Sequence, residues 1–231
     1  MSERVRALVV IVFAAAMAWV ESAAVVYLRT LIGRIEPYQS NPLPVSVGLG
    51  EIEAIREAAT LVMLCSVGWL AGRTWRSRLG YAMMAFGVWD ILYYVFLIPM
   101  TGWPRSPFDW DILFLLPLPW WGPVVAPVLI ALLMAIYGML VSQFDTPEHP
   151  LWAGRLMWVI SMAGASLALY VFMADAIGAI PGGHAAIREV LPRAFDWSFF
   201  AFALGCMALP LLDVIIQLRS RRLRGKIGAT A

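Results

Sequence analysis

The chain has 231 residues, of which 61% are apolar and only 14% charged, and its mean hydropathy of +0.78 is far above that of a soluble globular domain. This balance predicts an all-α integral membrane protein, one transmembrane domain over 1–231, with no room for a soluble domain of the usual ~50 residues or more. The formal net charge of +2 comes largely from an arginine-rich tail, 219–231; beside a span such a tail meets anionic headgroups of the lipid bilayer, so nucleic acid is not expected as a partner.

A helix needs about 20 apolar residues to cross a hydrocarbon core of about 30 Å, and six stretches qualify, near 7–29, 52–72, 79–101, 122–143, 154–178 and 196–218. The first opens like a secretory signal, with Arg4 and Arg6 ahead of Ala14, Ala15 and Ala16. Its apolar pattern, however, runs past Glu21 to Leu28, beyond a ~7–15-residue signal core, and so reads as an uncleaved span. Ala14, Ala18 and Ala24 flank Glu21 and suit packing against another helix better than contact with lipid, which places this carboxylate in the bundle interior.

The second span opens with Glu51-Ile-Glu53-Ala-Ile-Arg56-Glu57-Ala-Ala-Thr60. Residues three and four apart share a helix face, so Glu53, Arg56, Glu57 and Thr60 form one polar stripe. Antiparallel packing of the first two helices then predicts Glu21 near Arg56 or Glu57 and Arg29 near Glu53, as an ion-pair ladder. In the third span Asp90 falls near the midplane, the costliest depth for a carboxylate. Tyr93 and Tyr94, three and four residues on, are placed to hydrogen-bond it.

Between the third and fourth spans, Pro104, Pro107, Pro117, Pro119 and Pro123 interrupt an apolar run, Ile112 to Leu116, that is too short to cross. Asp109 suits an N-cap, which predicts a short interfacial or re-entrant helix here; Asp109 and Asp111 are secondary site candidates. Asp175 and Asp196 lie near the ends of the fifth and sixth spans, with His184 in the loop between them. A metal would need several ligands of fixed geometry, so His184 alone predicts no metal site. Asp213 is expected to neutralise a nearby arginine. Cys65 and Cys206, in mid-span, read as small apolar residues.

With the N-terminus inside, the cytoplasmic segments hold Arg4, Arg6, Arg73, Arg76, Arg78, Arg155, Arg219, Arg221, Arg222, Arg224 and Lys226, against Arg29, Arg34, Arg56, Arg105, Arg188 and Arg193 outside. This bias favours both termini in the cytoplasm, and an even number of spans agrees with it. Trp103, Trp110, Trp120, Trp121 and Trp197 are expected at the outer interface, and Trp69, Trp75, Trp152 and Trp158 at the inner one.

Several chemistries lack their residues. Neither His149 nor His184 lies in a span, which argues against a transmembrane haem held by paired histidines. The single lysine, Lys226, is in the tail, which argues against a retinal Schiff base. There is no GxxxxGK[ST] loop, no Glu-x-x-His pair for a di-iron bundle and no intramembrane Ser-His pair. No cofactor is predicted.

Four strings carry a resemblance: Glu21-Ser-Ala-Ala-Val-Val-Tyr27-Leu-Arg29, Arg56-Glu57-Ala-Ala-Thr60-Leu-Val-Met63-Leu64, Phe86-Gly-Val-Trp-Asp90-Ile-Leu-Tyr-Tyr94, and Asp109-Trp-Asp111-Ile-Leu-Phe-Leu-Leu-Pro117-Leu-Pro-Trp120. Together they resemble multispan bacterial membrane proteins of unassigned function, over roughly the first 130 residues. The resemblance implies a bacterial inner-membrane location and no activity, cofactor or substrate.

Three functions from different classes fit these residues. Glu21, Arg29, Glu53, Arg56, Glu57, Asp90 and Asp175, with Tyr93, Tyr94, Asp109, Asp111 and His184 in support, would bind a proton, a cation or a small polar group in transport or sensing. Alternatively the chain is an accessory subunit of a larger membrane complex and its buried charges set helix register. In the third, Glu57 or Asp90 is a general acid or base in a lipid-modifying enzyme. Small residues at Gly68, Gly72, Gly164, Ala168, Gly205 and Ala208 suit internal and intersubunit packing equally, which leaves the oligomeric state open.

Overall fold

The computed structural model describes residues 2–39, 49–115 and 117–228, without the side chains of Leu49, Gly50, His184, Arg188 and residues 224–228. Its long helices are α1 (Glu3–Leu31), α2 (Leu49–Ala71), α3 (Trp75–Thr101), α4 (Val125–Phe144), α5 (Arg155–Ala179) and α7 (Trp197–Gly228), with a short α6 (Gly183–Arg188) between the last two. All but α6 are long and apolar enough to cross a membrane. They coincide with the six apolar stretches and overrun several of them, because polar end residues carry the helix on. Ser2 caps α1, and Thr74 with Ser77 forms a reciprocal capping box at the start of α3. Outward faces carry exposed apolar residues such as Leu8, Val12, Ile55, Val62, Leu70, Val159, Phe202 and Ile216, the reverse of a water-soluble bundle.

Helix α3 is the hub: it packs against α1, α2 and α4, while α5 pairs with α7 and α4 bridges the two groups. The α3–α4 contact brings backbone against backbone. A Cβ added at Gly87 would stand 2.3 Å from the Ala131 carbonyl oxygen, and one at Gly138 would stand 2.3 Å from that of Gly80. Glycine at these two positions is what permits the approach. Among the other small residues, Gly68 and Gly164 also make internal contacts, whereas Gly205 faces open space.

The helix expected between the third and fourth spans is not formed. Trp110–Ile112 and Trp121–Pro123 instead pair as an antiparallel hairpin, β1 and β2, in which Asp111 is opposite Gly122. Five prolines in this segment remove amide donors and fix φ, so consecutive helical turns cannot be sustained, while a short ladder closed by Leu113 N–H to Trp120 C=O (2.8 Å) can. Asp109 caps no helix: its Oδ2 accepts from the amides of Arg105 (2.7 Å) and Ser106 (3.2 Å) and ties the turn ahead of β1. Leu116, in the expected apolar run, lies outside the described residues. As the hairpin folds inward it buries Trp103 and Trp121, two of the tryptophans expected at the outer interface.

At the opposite end of the bundle Asp145 accepts from Arg76 Nε (2.7 Å), Leu151 N–H (2.8 Å) and Thr74 Oγ1, joining the α2–α3 and α4–α5 connections. Asp213 makes no ion pair with an arginine among the described residues; its Oδ2 accepts the Gly154 N–H at 2.7 Å, an otherwise unsatisfied donor at the start of α5.

Candidate functional site

The buried charges among the described residues, Glu21, Arg29, Arg34, Glu57, Asp90 and Asp111, lie where α1 ends, α2 begins and the hairpin folds over α3. Antiparallel α1 and α2 bring Glu21 beside Arg56, as the helical spacing requires. Arg56 is the centre of this group: it pairs with Glu21 and with both carboxylate oxygens of Glu53. Thr60, one turn deeper on the same stripe, donates to the other Glu21 oxygen at 3.3 Å.

Arg29 does not meet Glu53 as expected. Its Nη2 pairs with Asp111 Oδ1 at 2.9 Å, its Nη1 donates to the Ile35 carbonyl at 3.4 Å, and its guanidinium lies 4.5 Å from the centre of the Trp103 ring. Two causes combine: Arg56 occupies Glu53, and β1 delivers Asp111, which is 1% exposed, to the end of α1.

Glu57 makes no ion pair among the described residues; its Oε2 accepts the Leu115 N–H at 3.1 Å and pins the hairpin to α2. Replacing Glu57 with leucine would orphan that amide, a cost of about 1–3 kcal/mol. Hydrogen exchange at Leu115 is therefore expected to accelerate by about tenfold or more in Glu57→Leu. Unchanged exchange would show that the hairpin is held by other contacts.

Asp90 is only 9% exposed and has neither an ion pair nor a hydrogen bond among the described residues, its Oδ2 being fully enclosed without a partner. The expected bond from Tyr93 or Tyr94 is absent. Those long side chains carry their hydroxyls past the short aspartate toward the hairpin: Tyr93 Oη lies 3.5 Å from Arg29, and the Tyr94 ring packs on Trp103. Asp111 Oδ2 and the indole N–H groups of Trp89 and Trp120 are likewise buried with no hydrogen-bond partner among the described residues.

A cavity of about 270 Å³ joins these groups. Its wall includes Glu21, Arg29, Glu53, Arg56, Glu57, Asp90, Tyr93, Tyr94 and Asp111, together with the aromatic rings of Phe86, Trp89, Phe114, Trp120 and Phe172. Three candidates are elsewhere or outside the description. Asp175 accepts the Arg193 N–H at 3.1 Å on an exposed surface, Asp109 sits in its turn, and the side chain of His184 lies outside the described residues.

Arg34, Trp89, Trp120 and Phe172 also line the cavity and are not among the site candidates read from the sequence. Arg34 follows the positive-φ turn at Gly33 and folds back, its Nε donating to the Pro37 carbonyl at 3.1 Å. In sequence it counts only as one more basic residue beyond a span. Trp89, next to Asp90, carried the clearest available signal.

Five carboxylates and three guanidinium groups line the wall, so the site is formally acidic. Among the described residues no group of three or more His, Cys, Asp or Glu is arranged to hold a metal ion. Comparison with family models, curated proteins and solved structures finds no significant match to this chain.

Proposed function

We propose that this is a multi-pass protein of a bacterial inner membrane, with both termini cytoplasmic, whose buried carboxylate–arginine cluster binds a proton, a cation or a small polar group in a transport or sensing step. The orientation follows from the excess of basic residues at the end opposite the cavity and puts the cavity in the outer half. One observation carries the binding role: Asp90 is enclosed in the wall of a cavity with no cation or donor among the described residues to balance it. A buried carboxylate in that condition takes up a proton or a ligand, and within a membrane it is functional by default.

A second reading has its own support. Arg56 with Glu21 and Glu53, and Arg29 with Asp111, are complete ion pairs joining α1, α2 and the hairpin. They suit a structural element of an accessory subunit in a larger membrane complex.

Native mass spectrometry of the gently solubilised full chain, beside Asp90→Asn and Glu57→Gln, separates the two. The binding role predicts an isolated protein carrying a non-covalent adduct, or a proton-linked change, that Asp90→Asn abolishes. Stoichiometric co-purifying subunits that ignore both substitutions would replace it with the accessory role.

A further inference from the structure

We infer that the cavity receives a small organic cation, an ammonium group on an apolar or aromatic body, with Asp90 as its counter-ion. This rests on the binding role above and names the ligand class for the same site.

Charge selects the sign. Arg56 is engaged by Glu21 and Glu53, and Arg29 by Asp111, whereas Asp90 has neither ion pair nor hydrogen bond among the described residues. A ligand that brings positive charge relieves an unpaired buried carboxylate, and an anion would aggravate it.

The surroundings of Asp90 select the kind of cation. Hard metal ions such as Ca²⁺ want about six to eight oxygen ligands. No group of three or more acidic, histidine or cysteine side chains among the described residues is arranged for one. On α3 the neighbours of Asp90 are aromatic: Phe86 packs on Trp89 with ring centres 5.4 Å apart, and Tyr93 on Tyr94 at 4.9 Å. Aromatic faces attract ammonium groups and accept the hydrocarbon attached to them, a combination that suits an organic cation better than a hydrated inorganic one. The volume of about 270 Å³ is just below the ~300–1,000 Å³ of sites for drug-sized molecules, which limits the ligand to a small body.

The test is isothermal titration calorimetry on the full chain in lipid nanodiscs with 2-phenylethylammonium and its uncharged counterpart 2-phenylethanol, using the wild type and Asp90→Asn. The expected result is ammonium binding to the wild type about tenfold or more tighter than the alcohol, a preference that Asp90→Asn removes. Equal affinity of the wild type for the two compounds would overturn the inference, and this readout needs no variant. A preference retained by Asp90→Asn would overturn the role of Asp90. Sodium binding or proton uptake that depends on Asp90, without an ammonium preference, would overturn the organic cation and leave the binding role standing. If no ammonium, sodium or proton binding depends on Asp90, both fall.

Discussion

Alanine at position 29 is expected to destabilise the fold by about 3–5 kcal/mol, because the Asp111 carboxylate would stay buried with its cation removed. Asp111 is 1% exposed, and its pairing with Arg29 at 2.9 Å is its one ion pair among the described residues. The same substitution removes the guanidinium from the Trp103 ring and the hydrogen bond that holds the chain at Ile35. Unfolding of the purified protein in mixed micelles measures the loss. Arg29→Ala combined with Asp111→Asn should recover much of it, since a neutral amide costs far less to bury than a lone carboxylate. A loss within about 1 kcal/mol, the range of exposed ion pairs, would mean that water reaches Asp111 and that the pair does not hold the hairpin to α1.

Leucine at position 87 is the second large effect. A Cβ alone would lie 2.3 Å from the Ala131 carbonyl oxygen and 2.8 Å from the Ala135 Cβ, so α3 and α4 would have to separate. Overpacking that forces backbone to shift costs about 1–3 kcal/mol and occasionally more, and a Cβ this close to a carbonyl belongs at the upper end. Because α3 carries Asp90, Tyr93 and Tyr94, the cavity should be lost along with the packing. Gly205→Leu is the control: a Cβ there meets nothing within 4 Å, and replacing a helical glycine gains up to ~1 kcal/mol of helix propensity. Equal melting temperatures for the two variants would show that the α3–α4 approach is not tight. Opposite shifts would confirm that it is.

The sequence by itself determined the features governed by local rules. Apolar run length located the six long helices, and helical spacing placed Glu53, Arg56, Glu57 and Thr60 on one stripe that meets Glu21 across an antiparallel neighbour. Both depend only on the pitch of a helix and the direction of the chain. The prolines between α3 and α4 showed that a long helix was impossible, but not that a hairpin would form, since strand pairing depends on two segments meeting rather than on either one.

Only the tertiary structure decided which charges found partners. Arg29 and Asp111 are 82 positions apart, and Glu57 and the Leu115 amide 58. No periodicity links them, because the inward fold of the hairpin sets both distances. The isolation of Asp90 is legible only there as well: in sequence two tyrosines stand within reach, and in the fold their hydroxyls pass it toward the hairpin, leaving Asp90 in the cavity wall with neither an ion pair nor a hydrogen bond among the described residues.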